Sequence, residues 1–255
     1  MTLTKITKAS GKGVVVPGPD GSAALGSTTG RDDHALYRVA GGAAFLALGA
    51  LIVGGTAMAM TTRNGASTAD TMTAIAASPW PFLAGGLGLV LVSLLDLFTI
   101  PALHAALGRY GRVLIVVASG TAVIGDLLGV IGRLAQTAVV PVGMQSARVG
   151  DPALLSAGHV LDVLDTTFNT TGFVLVSVSF TCFGLLMLRG FSRPIGWIAI
   201  VAGLFTLLGQ LPLLAPLFIV ANVAYIAWYV GIGRRFWRDA HPILMTENVV
   251  RSSSG

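Results

Sequence analysis

Charge is scarce in this chain: Asp, Glu, Lys and Arg make up 11% of the residues, against about a quarter in a soluble domain. Lysine is confined to Lys5, Lys8 and Lys12, so no apolar segment carries one for a Schiff base, which excludes rhodopsin-like photochemistry. The lone Cys182 excludes an intrachain disulfide framework and a cysteine-rich metal site. Of His34, His104, His159 and His241, only His104 falls in an apolar run, which removes paired axial haem ligation. The first 36 residues have no aliphatic run longer than Val14-Val15-Val16, too short for a signal-peptide core. These absences leave no cofactor, no metal and no catalytic residue to name.

What is present is hydrophobic surface, 54% of the residues, gathered into recurrent apolar runs of about twenty. A soluble core has no use for so many of them, and the membrane class follows. Six spans are expected at residues 37–60, 80–107, 112–138, 164–188, 195–211 and 214–233, the last two separated because Pro212 and Pro216 punctuate a run too long for one crossing. The net charge of +5 does not point to nucleic acid, since basic residues sit at the ends of apolar runs and form no basic and aromatic face. Instead they orient the chain. Thirteen of the sixteen Lys and Arg fall in the two terminal segments and in the turns at Arg109/Arg112 and Arg189/Arg193. By the positive-inside rule both termini of an all-α, six-helix transmembrane bundle are then cytoplasmic, in the bacterial inner membrane.

Residues 1–36, poor in apolar surface, are expected to be a disordered cytoplasmic tail, residues 37–235 the six-helix domain, and 236–255 a short cytoplasmic tail. Tyr37, Trp80, Tyr110, Trp197, Trp228 and Trp237 are placed at the interfaces as an aromatic belt. A long outer connection is expected over Val139–Leu161, with Asp151 capping a short interfacial helix whose first residue is Pro152.

Polar residues inside the spans mark the sites worth attention. In the third span Ser119, Ala122, Asp126, Gly129, Arg133 and Thr137 share a face that is small or polar throughout, and Gly125-x-x-x-Gly129 permits close approach of another helix. The stripe Ala43, Ala47, Ala50 and Gly54 of the first span is its expected partner. Ser93, Asp96 and Thr99 share a face in the second span, Asp162, Asp165, Asn169 and Gly172 in the fourth, and Asn222 lies in the sixth. Eleven Val, Ile or Leu between Val113 and Ile131 contribute about −5 kcal/mol to insertion, against about +3 for Asp126 and a similar cost for Arg133. The third span is therefore marginal alone and its polar face must be sheltered. A guanidinium at that depth needs a carboxylate or water, and Asp126, Asp162 and Asp165 are its expected ion-pair candidates.

Arg38-Val39-Ala40-Gly41, Leu94-Leu95-Asp96, Phe191-Ser192-Arg193-Pro194-Ile195-Gly196 and Ala202-Gly203 together resemble a bacterial family of six-span integral membrane proteins classed as a domain of unknown function. The resemblance, over residues 37–233, implies a six-helix bundle in the inner membrane and carries no activity or site residue. Three functions compete. One is a non-enzymatic protein that binds or passes a small solute or ion through an outward-facing polar cavity. The second is a structural or assembly subunit whose ion pairs only hold helices together. The third is an intramembrane aspartyl hydrolase using Asp96 and Asp126, for which Val123-Ile124-Gly125-Asp126 lacks the first Gly of the Gly-x-Gly-Asp signature.

The orientation is tested with single cysteines in a Cys182→Ser background. Cysteines at Ser67 and Ser146 should react with an impermeant thiol reagent in intact cells, and one at Ser192 should not; the reverse pattern inverts the topology.

Overall fold

Apolar runs rich in Ala, Leu, Gly and Val satisfy every internal backbone group by forming helices, which is the only open-chain solution in a hydrocarbon environment. The computed structural model, which describes residues 22–61 and 67–240, follows that rule, and no strand occurs among the described residues. Its helices are α1 (Ser22–Thr61), α2 (Thr68–Ala77), α3 (Pro79–Leu107), α4 (Arg112–Val149), α5 (Pro152–Leu188), α6 (Arg193–Gly209) and α7 (Leu217–Asp239). Residues 1–21 and 241–255, where most of both expected tails fall, lie outside the described residues. Helix α1 begins at Ser22, so helical structure opens inside the stretch assigned to the tail.

Six of the helices close into a ring. Helix α1 packs on α3, α3 on α4, α4 on α5, α5 on α6, α6 on α7, and α7 returns to α1. Neighbours run antiparallel, as short connections require: along the α4/α5 seam Gly125 faces Val176 while Gly132 faces Asn169, and along α6/α7 Gly231 faces Ile195 while Gly209 faces Phe218. Small residues set the spacing. A Cβ on Gly88 would fall 2.9 Å from the Cα of Gly54, and one on Gly172 would fall 2.8 Å from the carbonyl of Gly125. Backbones touch at these crossings, which maximises dispersion between helices that gain nothing from excluding water. The expectation of close approach at Gly125 and Gly129 is met by Gly172 of α5. The small stripe of α1 was assigned the wrong partner, however: Gly54 meets Gly85 and Gly88 of α3, because α3 lies between α1 and α4 in the ring.

Large aliphatic side chains face outward. Val113 is 80% exposed and Ile124 54%, on the side of α4 opposite Ala118, Ala122 and Asp126, which are buried. An apolar exterior around buried polar groups is the arrangement of a bundle solvated by lipid. Five helices, α1, α3, α4, α5 and α7, are long and apolar enough to cross a membrane; α6 is apolar but has 17 residues. The break between α6 and α7 falls where the two prolines placed it, as a short 3₁₀ turn at Pro212–Leu214.

Other expectations are corrected. No long connection exists over Val139–Leu161: α4 and α5 have 38 and 37 residues, separated by Gly150 in the left-handed conformation and by Asp151, which caps α5 by accepting from the Ala153 amide at 2.9 Å. Pro141 lies within α4. The missing amide bond is offset by packing, since α2 lies against these extensions, with Ile75 over Gly143 of α4 and Met72 over Gly158 of α5. Helix α2 itself was not expected, although its capping box, Ser67 to Asp70, is present in the sequence and formed in the structure. Finally, Trp228 is not an interfacial anchor: it is 2% exposed, packed on Phe180 and Tyr229, because it points into the ring from α7.

Two glycines separate packing from mere tolerance. Gly172→Ala should destabilise the bundle by about 1–3 kcal/mol through overpacking. Gly55→Ala, whose Cβ meets nothing within 4 Å, should stabilise it by about 0.5–1 kcal/mol through the lower entropy cost of a non-glycine residue. Unfolding in detergent micelles measures both, and equal losses would mean that the seam is not where the glycines matter.

Candidate functional site

One half of the ring interior is solid. Leu103, Leu107, Ile115, Leu186, Met187, Ile232 and Phe236 are almost fully buried there, beneath the turns at Arg109 and Arg189. These turns meet, the Arg189 guanidinium donating to the Tyr110 carbonyl at 3.2 Å. The other half encloses a cavity of about 420 Å³ to which all six ring helices contribute, among them Met58 of α1, Asp96 of α3, Asp126 of α4, Asn169 of α5, Thr206 of α6 and Tyr229 of α7. A volume of this size is ordinary for a small-molecule site.

The polar faces read from the sequence converge here only in part. Asp96, Asp126, Arg133, Asn169 and Asn222 line the cavity; Asp162 and Asp165 do not. Asp162 is exposed, one turn too far along α5, while Asp165 is half-buried and bonded to the Asn169 amide. Asp96 and Asp126 come from antiparallel neighbours and lie at the cavity's inner end, against the solid half. The Tyr229 hydroxyl donates to Asp96 Oδ2 at 2.6 Å, and among the described residues no hydrogen bond joins the two aspartates.

The expected ion pair of Arg133 is not a direct contact. Among the described residues the ion pair present is Arg235–Asp239, on the surface of α7, and Arg133 touches no carboxylate of Asp126, Asp162 or Asp165, with Asp165 acting on it only at longer range. Its guanidinium donates instead to Gln136 Oε1 at 3.0 Å, on its own helix, and lies 5.9 Å from the centre of the Phe173 ring. The reason is geometric: Gln136 is one turn away on the same face, whereas Asp165 is taken by Asn169. Asn222 folds back, its amide donating to the Phe218 carbonyl at 2.8 Å, and is exposed at the mouth.

Sequence inspection missed the aromatic and hydroxyl side of the site. Phe218, Asn222, Tyr225 and Tyr229 of α7 all line the cavity. Their spacing of four, three and four residues puts them on one helix face, a signal that was available in the sequence. Ser179 was missed as well. Its Oγ, Asp96 Oδ1 and Trp228 Nε1 are buried without a hydrogen-bond partner, and all three residues border a second space of about 20 Å³ shared with Asp126. That volume admits a single water molecule. Among the described residues no cluster of His, Cys, Asp or Glu is arranged to hold a metal ion.

Residues 40–235 match the family model described as a domain of unknown function, DUF4386. No curated protein and no solved structure matches the chain.

Double-mutant cycles on unfolding free energy distinguish the two polar contacts. Tyr229→Phe strands a carboxylate oxygen in a buried place and should cost about 1–3 kcal/mol, with clear coupling to Asp96→Asn. Arg133→Gln and Asp165→Asn should be additive within about 0.5 kcal/mol. Strong coupling in the second pair would reinstate the ion pair.

Proposed function

The chain belongs to the DUF4386 family, a domain of unknown function, and we propose its role from the cavity alone. It is a non-enzymatic integral membrane protein that binds or passes a small solute or ion through an outward-facing polar cavity. All six ring helices cross the membrane, α6 being short for the task, and both termini are cytoplasmic in the bacterial inner membrane. Support for the orientation comes from the end of the ring where Tyr37 of α1 stacks on Phe236 of α7, because Arg38, Arg109, Arg189, Arg193, Arg234 and Arg235 gather around the same elements. The cavity lies towards the opposite end.

The observation that carries the proposal is a cavity lined by two carboxylates in the middle of an apolar ring. A subunit whose polar residues only held helices together would pair them and close the space, since an unpartnered polar group in an apolar interior costs free energy. Here the space is kept and the polar groups face it. An aspartyl hydrolase would need Asp96 and Asp126 within hydrogen-bond reach to share a proton, and among the described residues no hydrogen bond joins them, although a water-sized space lies beside both.

Access from outside tests the reading. In a Cys182→Ser background, Ser93→Cys, which places a thiol on the cavity wall, should react in intact cells with an impermeant methanethiosulfonate carrying a trimethylammonium group. Adding Gly55→Leu, which projects into the cavity from α1 where a Cβ meets nothing, should slow that reaction about tenfold or more, roughly a 1.4 kcal/mol barrier. A well-folded protein whose Ser93→Cys thiol stays unmodified from both sides would instead be the structural subunit.

A further inference from the structure

Resting on the cavity reading above, the chemistry of the inner end narrows the solute. Asp126 is 7% exposed, lines the cavity, and is reached by no hydrogen-bond donor among the described residues. Asp96 accepts from Tyr229 through one oxygen, while Oδ1 is buried and unpartnered. The hydroxyls on the cavity side are engaged: Tyr229 gives its single proton to Asp96, and the hydroxyls of Tyr225 and Thr206 are bonded to each other at 3.3 Å, with Thr206 also donating to the Ala202 carbonyl at 2.7 Å. The unpartnered donors, Ser179 Oγ and Trp228 Nε1, border the small space behind the carboxylates, which admits a water. Towards the main cavity Asp126 therefore keeps acceptor positions that no side chain fills, and a ligand that supplies N–H groups and a positive charge completes them.

The walls exclude other candidates of the same charge. A bare metal ion needs a shell of oxygens at close range, whereas the sides of this cavity are built from Val92, Val176, Phe180 and other apolar groups. An anion would have to approach Arg133, which is two helical turns, about 10.5 Å, along α4 from Asp126 and already donates to Gln136. What fits is an ammonium at Asp126 carrying an apolar body that lies among the rings of Phe180, Tyr225 and Phe218, where aromatic faces also favour a cation. From this geometry we infer that the cavity takes a small organic cation, an amine with an apolar or aromatic body, with Asp126 as its counter-ion and Asp96 as a second acceptor held in place by Tyr229.

The probes are 2-phenylethylamine, its uncharged analogue 2-phenylethanol and the anion phenylacetate, titrated calorimetrically into the full chain in lipid nanodiscs. The amine should bind about tenfold or more tightly than either analogue, a preference of roughly one order of magnitude in Kd being the least that a desolvated charge pair supplies. Asp126→Asn should erase the preference, Asp126→Glu should keep part of it, and Gly55→Leu should abolish binding of all three probes by filling the space. The comparison among probes on the unaltered protein stands even if an Asp126 variant fails to fold. Equal binding of amine and alcohol, tighter binding of phenylacetate, or an undiminished preference in Asp126→Asn overturns the cation inference and leaves a solute cavity of another selectivity. If no probe binds although the Ser93→Cys thiol is accessible, the cation inference fails alone. If no probe binds and that thiol is unreactive, the cavity reading fails with it.

Discussion

Two carboxylates inside an apolar bundle impose the condition that the rest of the structure meets. A side chain ionised near the bilayer centre costs roughly 2.5–3.5 kcal/mol on insertion scales, so neither Asp96 nor Asp126 can face lipid. They are sheltered by closing six helices into a ring, and the ring closes because glycines let backbones touch: Gly54 with Gly88, Gly125 with Gly172, Gly184 with Gly196. At these crossings backbone lies against backbone, with Val176 and Ile200 packed alongside.

Sheltering alone would be satisfied by a filled interior, and half of the interior is filled. Large side chains from α3, α4, α5 and α7 occupy it beneath the paired turns, where the Arg189 guanidinium on the Tyr110 carbonyl adds a polar tie between two hairpins already packed along α4 and α5. The boundary between the solid half and the cavity runs at the level of Asp96, Trp228 and Ser179, each with a buried atom that has no partner among the described residues. Polarity is greatest where the packing stops.

Much of this was legible in the residues, for identifiable reasons. The cavity-facing side of α4, from Gly125 and Asp126 through Gly129 to Arg133, follows directly from helical periodicity because small and polar residues recur there without interruption. The division of α6 from α7 followed from Pro212 and Pro216. What failed were inferences that need the azimuth of a second helix. Spacing along α4 gives the height of Arg133 but not which neighbour faces it, and the partner it meets is Gln136, one turn away on the same helix. Tyr225 and Tyr229 were missed because aromatic residues in an apolar run read as bulk, although their alignment with Asn222 was on the page. The extension of α4 past residue 138 was missed because the packing of α2 against it is a long-range fact.

The ring is of uneven height. Helices α4 and α5, at 38 and 37 residues, extend to roughly 55 Å, well past a hydrocarbon core of about 30 Å, and α2 buttresses their far ends. Helix α6, with 17 residues, reaches only about 25 Å, and the turn that follows it carries Leu213, 91% exposed. The mouth therefore resembles a tilted spout, with a parapet on the α4/α5 side and a low sill on the α6/α7 side, where a leucine stands uncovered. The cavity thus opens lower on one flank than on the other, and its rim is apolar where it is lowest.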